Sequence, residues 1–415
     1  MGFLPAASAM VVMWALLMVA ALAYAEGAAR VLADRESSKV ASGDPSADHD
    51  SGSSVSIASL SSRAFGARMS SFCTLAFVAQ VVAMITAQLI KTAEIAHAVS
   101  GGAVGSAVGC FVPAVVFGAL TLRAAPRTVE RVNTALTAAI VGGFGLLCRN
   151  VVAGGGHSAA RLVGTANWRA LLPSDTWPLP VFLAVLQFGA AIPVLVQGMH
   201  ASREPANARK ARTALISGAS LPLALGLAWT AVTASAPAAA GGGAEAIDPV
   251  LALLLGPCGV ALPVQALSAG AIGTTLIGAY LTLAQLFRDI LPSGRARAAT
   301  IGVVVVPALV GAVGPALYLP LLAASGAFPC TILYVLLPLL ALRVLRKQNV
   351  GAQANWLPGG TQSLLTLAAV PAAMLAASTA TAAAAITTLA TSIRAPALLP
   401  PTLRLLSRLV RLVPV

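Results

Sequence analysis

Residues 178–199 read PLPVFLAVLQFGAAIPVLVQGM, from Pro178 to Met199 without a charged side chain. A helix that crosses roughly 30 Å of hydrocarbon needs about 20 apolar residues, and this run supplies them. Its middle breaks the pattern. Gln187, Phe188 and Gly189 place an amide, an aromatic ring and a bare backbone side by side, and Pro193 follows. Proline lacks an N–H and crowds the carbonyl four residues back, so a helix opens at such a point. Hydrocarbon offers no partner to freed main-chain groups, and a break at that depth survives only against protein or a cavity. Two readings of these residues stay open. One is a kinked helix carrying a buried Gln. The other is the mid-membrane backbone site with which transporters hold an ionic or zwitterionic ligand.

Outward from that stretch, ten such runs fall between charges, at roughly 3–25, 70–90, 102–122, 132–148, 178–199, 213–236, 259–287, 298–323, 326–342 and 362–391. The 415-residue chain is 58% hydrophobic and 9% charged, with mean hydropathy +0.87. Soluble chains carry about 25% charged residues, so a water-facing enzyme surface is excluded, and the apolar content excludes general disorder. The runs are long and rich in Ala and Leu rather than alternating, which excludes a barrel. The expected fold is an all-α polytopic membrane protein of about ten transmembrane helices over residues 1–393. A polar, flexible loop is expected at 34–62, and a basic amphipathic tail at 394–415.

The connections sort by charge. Of the 26 Lys and Arg residues, 18 fall in the first, third, fifth, seventh and ninth loops between the ten runs. Basic loops stay on the cytoplasmic side, or the stromal side of an organelle, so the net charge of +13 needs no nucleic-acid partner. Residue 1 and the tail then lie on the opposite side. Apolar sequence begins at Gly2 with no basic region before it, which is not a secretory signal, and an outside start predicts one span upstream of Met1. Among the even loops, 149–177 carries Trp168 and Trp177, suited to a membrane interface. Val250 to Leu255 is too short to span and reads as a half-helix lying on the protein. In the tail, Arg404, Arg408 and Arg411 share one helical face, which suits an interfacial helix or a frayed terminus.

Several residues invite chemistry. Lys91, Glu94 and His97 sit three apart near a span end, as an interfacial ion pair or as part of a proton relay or gate. Glu26 closes the first run and reads as helix termination at the interface. Gly101, Gly105 and Gly109 offer one face for close helix packing. Gly156-His157-Ser158 lacks the second glycine of a hydrolase elbow and reads as loop. The five cysteines, Cys73, Cys110, Cys148, Cys258 and Cys330, form no C-x-x-C and read as small buried hydrophobes. In the seventh run, Ser268 and the pair Thr274-Thr275 lie among glycines. Their hydroxyls either line a coordination site or bond back to their own helix. No paired acids, metal cluster or triad appears inside the runs, so neither an enzyme nor a cofactor is indicated.

Taken in order, these stretches resemble a known family. Ile192-Pro193-Val194-Leu195 to Met199 is followed by a basic loop, then by Ala214-Leu215-Ile216-Ser217-Gly218-Ala219-Ser220-Leu221-Pro222-Leu223 and Trp229. Asp248-Pro249-Val250, then Ala266-Leu267-Ser268 through Gly273-Thr274-Thr275-Leu276-Ile277-Gly278 with Phe287, continue the match. Gly2-Phe3-Leu4-Pro5, Trp14 and Glu26 resemble that family's second span. The chain is similar to the tyrosine/tryptophan permeases, the hydroxy and aromatic amino acid permeases of the amino acid–polyamine–cation superfamily, in their plant and algal form.

The resemblance implies two inverted five-helix repeats around a central site, and cation-coupled, expectedly proton-coupled, uptake of tyrosine or tryptophan. The partners implied are an aromatic amino acid, a proton or sodium ion, and membrane lipid. Gln187, Phe188, Gly189, Ala190 and Ser268 would meet the substrate, and Thr274 and Thr275 the cation. A plastid envelope or plasma membrane is the implied setting. The family's first helix carries a Gly-rich break that completes the site, and nothing here corresponds to it. This predicts either a span preceding Met1 or a permease-like scaffold that has lost transport and serves as a partner or sensor.

Overall fold

The computed structural model describes residues 2–42, 55–153, 166–172, 178–189, 192, 195–196, 208–235, 261–312, 317–350, 357 and 359–394. Helix α1 runs Phe3–Ser42, 40 residues. At 1.5 Å per residue it is about 60 Å long, twice the hydrocarbon thickness, so its charged end projects from the membrane. No glycine or proline lies between Gly27 and Gly43, so no residue type there interrupts the helix.

The segment 34–62 is therefore helical at both described flanks, where a flexible connection was expected. α1 reaches Ser42, and α2, Ile57–Phe65, starts on Ser56, whose hydroxyl accepts the Ser59 N–H at 3.2 Å. Arg63 of α2 pairs with Asp34 of α1 at 3.0 Å.

Gly66, at φ +90°, turns α2 into α3, Ala67–Val99. Gly101 and Gly102, also at positive φ, turn α3 into α4, Ser106–Arg123. Only Gly109 of the expected glycine face packs closely: a Cβ there would stand 2.6 Å from Ala93 Cα, whereas Gly105 meets open space. The remaining helices are α5 (Pro126–Ala153), α6 (Leu179–Leu186), α7 (Ala208–Ser235), α8 (Ala261–Ile290), α9 (Ser293–Gly311), α10 (Tyr318–Lys347) and α11 (Thr361–Arg394).

Among the described residues, nine helices are long and apolar enough to span a bilayer. The chain is an all-α, multi-pass integral membrane protein. Two expected runs divide differently from the forecast: residues 318–323 belong to α10, not to the span before it. The Gly314-Pro315 pair lies between the two helices, while Ser325-Gly326 is absorbed inside α10. The half-helix at 250–255, the Gly156-His157-Ser158 motif, Trp177, Cys258 and the tail beyond Arg394 lie outside the described residues. Trp168 is exposed on a short 3-10 turn; Cys73, Cys110 and Cys330 are buried as expected, whereas Cys148 is only half-buried.

The two largest hydrophobic clusters among the described residues share α3. In one, Ile85 and Leu89 of α3 meet Cys110 of α4, Leu276, Tyr280 and Leu283 of α8, and Val304 and Ala308 of α9. Helix α5 lies close along α8 where glycines stand at the contact. Cβ atoms at Gly143 and Gly270 would fall 2.8 Å from the Pro263 carbonyl and 2.6 Å from the Leu136 carbonyl. In the other core, Leu17 and Tyr24 of α1 meet Leu60 of α2, Leu183 of α6 and Leu333 and Tyr334 of α10. Helix α7 joins it through Trp14, whose indole N–H donates to the Ala219 carbonyl at 3.0 Å.

Glu26 does not end a helix. It sits inside α1 at 1% exposure and collects four N–H donors. Arg346 gives two, from Nε at 2.8 Å and Nη2 at 2.7 Å. Arg30 Nε gives a third at 3.1 Å, and the Leu357 backbone a fourth at 3.1 Å. The two guanidiniums also donate to the Val350, Leu357 and Gly359 carbonyls. One carboxylate thus clamps α1, the end of α10 and the strap leading to α11. It also brings basic residues of the first and ninth loops to one side of the protein. Glu26→Gln leaves two buried guanidiniums without their counter-charge. We expect it to cost about 3–5 kcal/mol, read as a lowered Tm in detergent, with Glu26→Asp intermediate.

Candidate functional site

Helix α6 begins with Pro180 in its first turn, where a missing N–H costs nothing. It stops at Leu186: Gln187 takes φ −63° and ψ 132°, an extended conformation. Among the described residues, Gly189 is on a 3-10 turn and α-helical backbone returns at Ile192, Leu195 and Val196. The interruption expected from the sequence is present. Pro193 has no N–H to give the Gly189 carbonyl, and Gly189 is itself a poor helix former, so the stretch between them gains little by staying helical. Ending α6 leaves the carbonyls of Leu183 to Leu186 without intrahelical partners.

The side chains at the break are held against protein. Gln187 is half-buried, and its Oε1 is fully buried with no hydrogen bond among the described residues. Phe188 is half-buried against the core of α1 and α10. Gly189 is buried with its Cα against the Tyr334 ring, and a Cβ there would run into that ring. Ala190 lies outside the described residues.

The opposite wall is α10. Its ends, Tyr318–Ser325 and Leu337–Lys347, are α-helical, but Gly326–Leu336 between them is π-helical. Pro329 explains the change: it cannot donate to Ser325, and its ring pushes that carbonyl away. Bonds then reach five residues back. The Leu337 N–H meets the Ile332 carbonyl, and Thr331 Oγ1 donates to the Gly326 carbonyl at 3.0 Å. π segments mark functional sites more often than ordinary helix does.

Two glycines bring α10 onto α6. Gly326 lies against the Pro180 carbonyl where no side chain fits, and Gly189 lies under Tyr334. Tyr24 and Cys330 share the buried core with Tyr334, and Gln80, from α3, is buried too. Gln80 Oε1 is a second buried acceptor with no hydrogen bond among the described residues. The break is therefore bordered by the Gln187 amide, the Tyr334 phenol and main-chain carbonyls. These groups are neutral at pH 7, and such a lining suits a ligand with no net charge. A zwitterion's ammonium would find acceptors, and an aromatic ring would find Phe188 and the flat faces at Gly189.

The other expected site residues lie elsewhere. Ser268, Thr274 and Thr275 are on the unbroken α8, which packs chiefly on α3, α4, α5 and α9. Thr274 Oγ1 donates to the Gly270 and Ala271 carbonyls at 3.0 and 3.1 Å, and Thr275 Oγ1 to Ala271 at 2.7 Å. Both threonine hydroxyls donate to their own helix, which uses their protons and leaves their oxygen lone pairs unassigned. Lys91 and Glu94 do pair, at 2.8 Å, with the ammonium 5.3 Å from the Tyr318 ring centroid, while His97 turns to the Val104 carbonyl.

Sequence reasoning missed Gln80, Tyr24 and Tyr334. Gln80 had the same signal as Gln187, an amide in the middle of an apolar run. The Gly326-x-x-Pro329 interruption pointed to Tyr334 one turn later, and Tyr24 carried no separate mark.

A family model, the tryptophan/tyrosine permease family, matches residues 1–377, from the start of the chain into α11. The chain belongs to the tryptophan/tyrosine permease family. As a permease it is a membrane transporter rather than an enzyme, and aromatic amino acids are its class of cargo. Comparison with curated proteins found no match.

In this permease the α6–α10 contact rests on Gly326. Gly326→Val should force the two apart at a cost of about 1–3 kcal/mol, seen as a lower Tm and a weaker size-exclusion peak. Gly142→Ala, which meets open space in mid-helix, should be neutral or stabilising.

Proposed function

We propose that this permease is a cation-coupled symporter, driven by protons, that carries tyrosine or tryptophan as the zwitterion by alternating access. The observation that carries the reading is the interruption at Gln187, where α6 ends and a buried amide oxygen has no hydrogen bond among the described residues. The substrate ammonium donates to Gln187 Oε1 and to those carbonyls. Phe188 stacks on the substrate ring, and Gly189 and Ala190 let the ligand approach the main chain. The assignment of Ser268 to the substrate, and of Thr274 and Thr275 to the cation, rests on the family resemblance. Each threonine gives its proton to a backbone carbonyl and keeps oxygen lone pairs for a proton carrier or sodium ion.

A zwitterion has no net charge, so its uphill movement needs energy from elsewhere. The sequence holds no Walker-type phosphate loop, which makes an ion gradient the fitting source. The setting proposed is the plastid envelope or plasma membrane, to be read by imaging a fluorescent fusion.

The experiment is uptake of radiolabelled tyrosine and tryptophan into proteoliposomes, with and without an imposed pH gradient. Accumulation should require the gradient and collapse with a protonophore. Gln187→Leu should raise the KM at least about tenfold, the size of one lost hydrogen bond to a charged group. No accumulation under proton or sodium gradients would defeat the carrier reading and leave the non-transporting partner or sensor.

A further inference from the structure

We propose that the groove between α4, α5 and α8 binds an anionic phospholipid, with the phosphodiester on Arg288 and an acyl chain running past Gly278. The groove is separate from the helix break, so the inference does not rest on the transport reading.

The groove holds about 450 Å³, room for a headgroup and the first carbons of a chain. Its walls come from the end of α4 at Thr121 and Leu122, the start of α5 at Pro126 and Glu130, and α8 at Leu281 and Arg288. Gly278 also lines it, about 15 Å along α8 from Arg288. A Cβ at Gly278 would meet nothing within 4 Å, so the groove is open there. Arg288 and Glu130 supply its charge, while Ile277 and Leu281, close to Gly278 on the same helix, supply apolar wall.

This arrangement has the polarity of a lipid. Arg288 ends α8 at the seventh loop, and the α4–α5 turn is the third loop. Both are among the basic loops, on the side where membranes present anionic headgroups. Gly278 lies farther into the span. The charged end therefore stands at the interface and the apolar end inside the bilayer, headgroup out and chain in. Of the nine spans α5 is the least covered by protein, with 11% of its crossing stretch buried, so lipid reaches the groove from the side. Free phosphate would leave the apolar half empty.

Charge decides which headgroup fits. A second hollow shares Glu130 and is lined by Arg127 and Arg131. Three guanidiniums against one carboxylate leave a positive excess. Among the described residues none of these four side chains makes an ion pair. Guanidinium donors match phosphate oxygens in pairs, and basic pockets between spans are where anionic headgroups settle. A zwitterionic headgroup would leave the excess uncompensated. Glu130 works against the phosphate and holds the affinity down.

The test uses the full chain, delipidated in a nonionic detergent, and reads the Tm rise and the apparent Kd as lipid is titrated in mixed micelles. Phosphatidylglycerol should raise the Tm, with phosphatidylethanolamine and phosphatidylcholine at least about fivefold weaker. Inorganic phosphate should give no rise. Arg288→Gln should weaken phosphatidylglycerol about tenfold, the loss of one hydrogen bond to a charged group. Glu130→Gln removes a like charge and should tighten it about fivefold. Gly278→Leu fills the apolar end and leaves every charge in place. It should abolish the phosphatidylglycerol rise while the lipid-free Tm stays level or climbs, since glycine is a poor helix former. An equal response to all three lipids would mean a lipid annulus only, and a rise with inorganic phosphate would mean an ion site only. Either result overturns the proposal. So does the absence of any lipid response, or phosphatidylglycerol binding left unchanged by Arg288→Gln or Gly278→Leu.

Discussion

A main chain inside hydrocarbon must satisfy its own polar groups, and everything distinctive about this permease follows from one place where it does not. Helix α6 stops at Leu186 with its final carbonyls unpaired by the helix itself. Lipid cannot border such a break, so protein must. The cover is α10, and it lies close enough only because two contact points lack side chains, Gly326 against Pro180 and Gly189 against Tyr334. The π register of α10 belongs to the same solution. Pro329 has already removed one helical bond there, and the widened turn places Tyr334 and Thr331 toward the interior. Two weakened helices are thus packed weak part to weak part, each covering main chain that the other exposes.

How much of this was legible depends on the range of the interaction. Spans could be read because 9% charge over 415 residues leaves long uncharged runs, and membrane crossing is a local property of such runs. The break at Gln187–Gly189 was legible for the same reason: proline, glycine and a mid-run amide are local signals. The end of α9 was misplaced because two breakers competed, Gly314-Pro315 and Gly326-x-x-Pro329, and tertiary packing decided between them. Glu26 was misread because a carboxylate in an apolar helix resembles a terminus until Arg346, 320 residues away, is seen to neutralise it. Tyr334 and Gly189 were invisible as a pair, since nothing along the chain says that α6 and α10 converge.

Charge is distributed with the same logic. The neutral groups sit at the break, and the buried ions sit at the ends of the helices that flank it. Glu26, Arg30 and Arg346 lock one end of α10 to α1, and Lys91 with Glu94 lies over Tyr318 at the other. Buried ions contribute little net stability, but each is expensive to strip of its partner. Placed at the ends, they fix the position of a helix. Placed at the centre, they would have demanded a charged ligand.

These anchors limit how α10 can move. Its 30 residues span about 45 Å, with a buried carboxylate holding one end and an aromatic–ammonium contact at the other. Swinging the whole helix as a rigid body would pull Arg346 from Glu26, at a cost of several kcal/mol before any opening was gained. The π segment offers a cheaper coordinate, because its extra residue can shift along the helix while both ends stay bound. Rearrangement at the site is therefore expected inside α10, between Gly326 and Leu336, in the part that faces Gly189. A helix fixed at its ends and loose at its centre moves where the unpaired backbone of α6 has to be uncovered and covered again.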